Sequence, residues 1–307
     1  MKKNEGIIVV YKEKGCTSHD VVDRVRKIVG TKKVGHTGTL DPDAEGVLPV
    51  CVGRATKISS YITEKEKEYI ATMRFGIVTD TQDISGNVVS QIDDFNLDEI
   101  EVRKTINSFI GEYMQTPPIY SAVKVKGKKL YEYARSGETV KIPARKVFIK
   151  EIEILEITEK TAKIKVVCGK GTYIRALCHD IGKKLEVGAV MESLIRTQSG
   201  IFKEKDSVTL EELEKLVRNK ALEAVLLKID SVFKNIERFN VTEESFKKLL
   251  NGNKLKLSDT EEFETSKIED KLYTVYYNDD FYALYRGIKE DGEWILKIEK
   301  MFNVVEE

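Results

Sequence analysis

The stretch from Lys33 to Gly46, KVGHTGTLDPDAEG, limits how this chain can fold more than any other. Three glycines (Gly35, Gly38, Gly46) and Pro42 fall within it. Glycine permits tight turns at little steric cost. Pro42 fixes its own φ and pushes Asp41 away from the helical region. The segment is therefore expected to be a rigid loop that presents the Asp41 carboxylate. Asp and Pro also favour plain turns, so the loop alone does not separate a site from a turn. Asp41, Asp43 and Glu45 form an Asp-x-Asp-x-Glu run. It lacks the later bidentate glutamate of a calcium hand, and no metal is expected.

At 307 residues the chain has room for about two domains. No run of about 18 apolar residues occurs, so no transmembrane helix is expected. The apolar stretch Ile7 to Val10 is too short for a signal peptide. Cys16, Cys51, Cys168 and Cys178 are widely spaced with no Cys-x-x-Cys pair. That argues against a disulfide framework or a zinc knuckle and fits a reducing cytoplasm. No Gly-x-Gly-x-x-Gly or Walker loop occurs, so no nucleotide cofactor is expected, nor any other cofactor.

Lysine plus arginine equals aspartate plus glutamate, 51 each, so total charge says nothing about partners. Its distribution does. From Ser121 to Lys150 nine cations face two anions, and Lys124, Lys126, Lys128 and Lys129 crowd one short stretch. A basic segment beside tyrosines suits nucleic acid. Those lysines should repel one another without a polyanion, so the segment is expected to be mobile without RNA. From Arg238 onward the balance reverses, eleven cations to sixteen anions.

Thr17 or Ser18 can cap a helix with Val21, Val22, Val25 and Ile28 on one face, ended by Gly30. Lys67 to Gly76 alternates, placing Tyr69, Ala71, Met73 and Phe75 on one strand face. Leu97 to Phe109 reads as a helix with Ile100, Val102, Ile106 and Phe109 inward. Two long strands, Val147 to Ile157 and Ala162 to Cys168, precede a helix from Tyr173 to Leu185 with Thr172 as its cap. Beyond about Phe239 a helix over Glu243 to Leu250 leads into aromatic strands. Asn278-Asp279-Asp280 and Glu290-Asp291-Gly292 separate them as hairpin turns. Irregularly alternating helices and hairpins predict an α+β fold with a mixed, mostly antiparallel central sheet flanked by helices, plus a small β-rich domain.

Six motifs then fall in one order: Lys33 to Pro42; Lys67-Glu68-Tyr69; Phe75-Gly76 followed by Thr79-Asp80-Thr81-x-Asp83; Gln115 to Lys124; Gly171-Thr172-Tyr173-Ile174-Arg175; and Leu194-Ile195-Arg196-Thr197. In this order the chain resembles the TruB family of tRNA pseudouridine synthases, which modify uridine 55 in the T loop. The resemblance covers nearly the whole chain. One departure is Glu13, in Lys12-Glu13-Lys14-Gly15, where the family usually has proline.

The resemblance implies a catalytic domain over residues 1–238, with an RNA-clamping thumb at about 120–147. It also implies a PUA-type RNA-binding domain over 239–307. By the same resemblance Asp41 is the covalent nucleophile, Arg175 the cation that keeps it anionic, and Tyr69 the ring that stacks on the everted uracil. Leu194 packs against the base, His36 wedges into the RNA, and Lys33 meets a phosphate. Lys124, Lys126, Lys128 and Lys129 clamp the backbone. Which carbon Asp41 attacks stays open. The implied partner is the T stem-loop of tRNA, with no membrane and no obligate protein partner, and the chain is expected to be a monomer. An RNA chaperone that folds tRNA through the same surface is the alternative activity.

Overall fold

The computed structural model describes residues 4–261 and 268–303. The chain divides into two compact units: Ile8–Val50 with Ser59–Val225, and Met1–Ile7 with Cys51–Ile58 and Leu226–Glu307.

The larger unit holds most of strands β1 (Gly6–Lys12) and β3 (Glu45–Val52) and all of β2 (Val34–His36), β4 (Lys67–Phe75), β5 (Ile77–Thr79), β6 (Val88–Gln91) and β7 (Gly111–Gln115). After them come β8 (Lys124–Val125), β9 (Lys128–Lys129), β10 (Arg145–Ile157), β11 (Thr161–Cys168), β12 (Ala189–Ser199) and β13 (Phe202–Lys203). Its helices are α1 (Ser18–Val29), α2 (Ser59–Thr63), α3 (Glu99–Asn107), α4 (Leu130–Ser136), α5 (Ile174–Lys184) and α6 (Leu210–Arg218). The large sheet runs β1-β3-β12-β4-β11-β10-β7. From β12 to β7 every pairing is antiparallel, whereas β12 and β3 are parallel. The sheet is mixed and mostly antiparallel, as the pattern of the sequence predicts.

Local rules account for much of this. Thr17 forms a capping box with Asp20 at the start of α1, and Gly30 ends that helix in the left-handed region. Alternation in β4 sends Ala71, Met73 and Phe75 into one core. Ile149, Ile164 and Val166 join them there from neighbouring strands, with Val102 and Ile106 of α3 and Ile174, Leu177 and Ile181 of α5. Tyr69, on the same face, packs at the edge of that core.

Three expectations need correction. Thr172 does not cap α5, because its hydroxyl donates back to the Gly169 carbonyl at 3.0 Å. Tyr173 takes the cap position, and the Gln115 side chain accepts from its backbone N–H at 2.8 Å. Ile100 faces solvent at 75% exposure, and Thr105 is buried beside Val102 and Ile106 instead. The helix expected over Glu243 to Leu250 is only α7 (Phe246–Leu250).

In the smaller unit β14 (Leu226–Leu227) precedes a sheet of β15 (Arg238–Asn240), β16 (Leu272–Tyr277), β17 (Asp280–Glu290) and β18 (Glu293–Met301). Asn278 and Asp279 both have positive φ, as do Asp291 and Gly292. Two-residue loops of that kind match the twist of paired strands and fix hairpin register. The core of this sheet holds Phe239, Tyr273, Val275, Tyr285 and Leu296.

Candidate active site

The loop after β2 is pinned from below by two buried side chains. The Ser18 hydroxyl accepts from the Leu40 N–H at 2.8 Å and lies 3.2 Å from the Leu40 carbonyl. Lys12 is fully buried, and its ammonium donates to the carbonyls of Pro42 at 3.0 Å and Ala44 at 2.6 Å. Buried carbonyls need such partners. Asp41 thus projects from a loop with little freedom to relax.

Arg175 meets it from the first turn of α5. Nε lies 2.9 Å from Asp41 Oδ2, and Nη2 donates to Oδ1 at 3.1 Å. This is the two-pronged geometry a guanidinium offers a carboxylate. The same side chain, only 6% exposed, also bonds Asp83 Oδ2 at 3.3 Å and the carbonyls of Thr81 and Tyr120 at 3.1 and 3.0 Å. Burial raises the Asp41 carboxyl above the ordinary aspartate value, and the Asp83 charge adds to the rise; the Arg175 cation opposes both without cancelling them.

Asp41, Tyr69, Arg175 and Leu194 line one cavity of about 530 Å³, together with Lys67, Tyr120, Tyr131 and Arg196. Tyr69 is half-buried, and burial holds its phenol above the usual tyrosine range while Arg196 opposes the shift. Cys168 also faces Tyr69, with its thiol pushed up to about 12 by burial. Leu194 sits opposite Ala71 in the β12–β4 pair. Lys67 donates to the carbonyls of Thr63 and of Lys65, the latter at 2.6 Å, and burial brings its ammonium down to about 8.

The other named residues lie off the cavity lining. His36 is half-buried, and its Nδ1 accepts from the Gly38 N–H at 3.3 Å. Burial and the Arg196 charge lower its pKa, which favours the neutral ring. Lys33 is exposed. Lys124 to Lys129 form the β8–β9 hairpin, which turns at Lys126 and Gly127, both with positive φ. Lys128 is paired with Glu138 at 2.7 Å and sits over the Tyr133 ring; Lys129 lies over Tyr131. Lys124 and Lys126 are exposed and make no ion pair among the described residues. No group of three or more histidine, cysteine, aspartate or glutamate side chains able to hold a metal occurs among the described residues.

A bidentate Asp–Arg pair beside a tyrosine and a leucine, in a cavity wide enough for a base, is the arrangement the six motifs anticipate. Comparison with known proteins shows the family. The family model for the TruB family pseudouridylate synthase N-terminal domain matches residues 26–174, and that for the tRNA pseudouridylate synthase B C-terminal domain matches residues 175–234. A protein of Clostridioides difficile strain 630 named tRNA pseudouridine synthase B is 43% identical over 300 residues, covering 96% of this chain and 99% of the relative. The chain belongs to the TruB family. A Staphylococcus aureus member of the same name is 45% identical over 311 residues, with 97% of this chain and 99% of the relative covered. Among solved structures, a chain of a Cbf5-Nop10-Gar1 complex aligns with TM-score 0.74 at 26% identity, covering 97% of this chain and 85% of that one.

Around this candidate site, reasoning from sequence missed three contributors. Asp83 stood in a quoted motif without a role, although its carboxylate shares Arg175. Lys12 and Arg196 are charged residues that look like surface ones in sequence, and both are buried. Only the motif positions of Asp83 and Arg196 could have drawn attention to them.

Proposed function

We propose that the chain converts uridine 55 in the T loop of tRNA to pseudouridine, with Asp41 as the covalent nucleophile. Family membership makes the chemistry an isomerisation of uridine to pseudouridine in tRNA. The N1–C1′ bond breaks, the uracil turns, and C5 takes the place of N1 on the ribose. No electron or phosphate is consumed.

The observation that carries the assignment is the bidentate contact between Asp41 and Arg175 inside the cavity that Tyr69 and Leu194 also line. An ionised carboxylate can attack carbon, and the Arg175 cation favours the ionised form of this one against its burial. A base reaches the cavity only after leaving its stack, at a cost of a few kcal/mol. Stacking on Tyr69 returns about 1–3 kcal/mol, and Leu194 excludes water on the other side. The neutral His36 ring suits a wedge that fills the space the base leaves. In the closing step the Tyr69 hydroxyl assists the loss of the C5 proton.

Residues 1–238 act as the catalytic domain and 239–307 as a PUA-like RNA-binding domain. The acidic balance of the latter argues against strong RNA binding by that domain. Lys33 and the hairpin lysines hold phosphates. The thumb is coupled to the site by the Arg175 bond to the Tyr120 carbonyl, so RNA gripped at Lys124 and Lys126 bears directly on the catalytic pair. With a basic thumb of its own, the chain works as a monomer in the cytoplasm without a guide RNA or protein partner. Among the described residues no helix is long and apolar enough to cross a membrane.

Incubation with a T-stem-loop transcript and mapping of pseudouridine at single-nucleotide resolution tests the reading. Conversion is expected at position 55 alone, and conversion confined to other positions refutes it. Binding should also weaken steeply with salt, each phosphate contact contributing about 0.7–0.9 to the logarithmic slope. Replacing Lys124 and Lys126 together by alanine should flatten that slope by about 1.5. A slope equal to that of the native protein would remove the thumb from the interface.

A further inference from the structure

Arg196 is 1% exposed, among the largest side chains in the interior. Its Nε donates to the Val47 carbonyl at 2.7 Å and its Nη2 to the Gly38 carbonyl at 3.2 Å. Both partners are neutral, and among the described residues this guanidinium makes no ion pair. Arginine does not lose its proton in proteins, so a full positive charge is buried here without a carboxylate. Stability alone does not account for such a charge, since an apolar side chain would cost less.

Its surroundings give it a role. Arg196 and Tyr69 are direct partners across the β12–β4 pair, and both line the catalytic cavity. Burial raises the Tyr69 phenol above its ordinary value, and the Arg196 charge and side-chain N–H groups oppose that rise. Gly38 lies three residues before Asp41, and Val47 follows the loop's end. Arg196 therefore grips both ends of the loop that carries Asp41. The loop also runs against its backbone: a Cβ on Gly46, where φ is +108°, would meet the Arg196 carbonyl oxygen at 2.2 Å.

We propose that Arg196 is a positioning residue for the isomerisation: from its cross-strand place beside Tyr69 it fixes that side chain relative to the Asp41 loop and keeps a buried cation in the cavity where the C5 proton is lost. This rests on the role of Tyr69 given above. Once C5 is bonded to C1′ it still carries its hydrogen. The phenol oxygen accepts that proton while passing its own to water, the C5–H electron pair restores the ring double bond, and that water gives a proton to N1. Tyr69 is left as the neutral phenol, so no charge accumulates. The ionisable groups facing the phenol are Arg196 from β12, Cys168 from β11 and Asp41 from the loop, with Lys67 on its own strand lining the same cavity.

The test places 3-fluorotyrosine at position 69 and follows its ¹⁹F shift with pH in the full chain. Arg196→Gln should move the phenol midpoint up by about one unit or more, and Arg196→Lys by less than half as much. Single-turnover conversion of a T-stem-loop RNA should slow about 10-fold or more in Arg196→Gln. A folded Arg196→Gln with an unmoved midpoint overturns the proposal. If that variant does not fold, Arg196→Lys decides: a midpoint that rises by less than about half a unit with slowed turnover supports the proposal, and native turnover overturns it. Tyr69→Phe separates the two readings. Native turnover in that variant removes Tyr69 from the chemistry, while the ¹⁹F coupling to Arg196 still stands or falls by its own measurement.

Discussion

Asp41→Asn should lose turnover by a factor on the order of 10⁴ or more, as the proposed role of Asp41 as covalent nucleophile requires, while binding of T-stem-loop RNA stays within a few-fold of native. The shape of the site changes little, because asparagine keeps the carbonyl oxygen that faces Arg175. The same substitution separates an isomerase from an RNA chaperone, since a chaperone working through this surface would keep its folding activity. Stability supplies a second reading. The folded-state carboxyl is held above its unfolded value by burial and by Asp83. The native state therefore binds this proton more readily than the unfolded chain does. The favourable contribution is fully present below the unfolded pKa, near 3.9, and is lost as pH rises through the higher folded value. At pH 7 the ionised Asp41 thus costs stability, and the neutral asparagine should melt no lower than native. That relation should fade as the pH approaches 4. A variant that melts well below native at pH 7 would show that the Arg175 contact outweighs the burial. The acid limb of kcat/KM in the native enzyme should likewise lie above the ordinary aspartate value.

Features set by neighbours in sequence were the ones that could be read in advance. The Thr17 box, the Gly30 stop and the alternation of β4 depend on a few adjacent residues and stand where the pattern puts them. Pro42 confines Asp41 locally, so the loop was recognisable before any partner was known. Ile100 fails for a different reason: α3 turns only a narrow stripe inward, and periodicity alone does not say how wide that stripe is. Thr172 had the right residue type for a cap, but Gly169 takes its hydroxyl and Gln115 serves the helix end from far along the chain. The burial of Lys12 and Arg196 could not be foreseen from composition, since each is paid back by carbonyls that become neighbours only when the sheet forms. Asp83 is the instructive case. Its place in a motif was visible, yet its role depends on an arginine 92 residues away.

That sharing of one guanidinium leads to the second large effect. Arg175→Met should reduce kcat/KM about 10³-fold, comparable to losing a preorganised charge-stabilising donor. With the cation gone, Asp41 and Asp83 face each other unpaired, and like charges push carboxyl pKa values up. Asp41 would then be protonated over more of the working range, and the acid limb should move to higher pH. Removing one partner of a buried pair costs about 3–5 kcal/mol. The Asp41 side chain is 37% exposed, so screening brings the expected loss to about 2–3 kcal/mol and Tm down by several degrees. Arg175→Lys should rescue little, because an ammonium cannot reproduce the fork that holds both oxygens of Asp41 and reaches Asp83 as well. Asp83→Asn moves the limb in the opposite sense. It removes a like charge from beside Asp41 and leaves Arg175 in place, so the Asp41 carboxyl falls toward its ordinary value and the acid limb shifts to lower pH. Its rate loss should be smaller, on the order of 10- to 100-fold, from looser orientation of the guanidinium. Because the three side chains act as a unit, the Arg175→Met, Asp83→Asn double variant should lose less than the product of the two single losses. Strict multiplicativity, or an acid limb that moves the same way in both single variants, would mean that Asp83 does not act on Asp41 through Arg175.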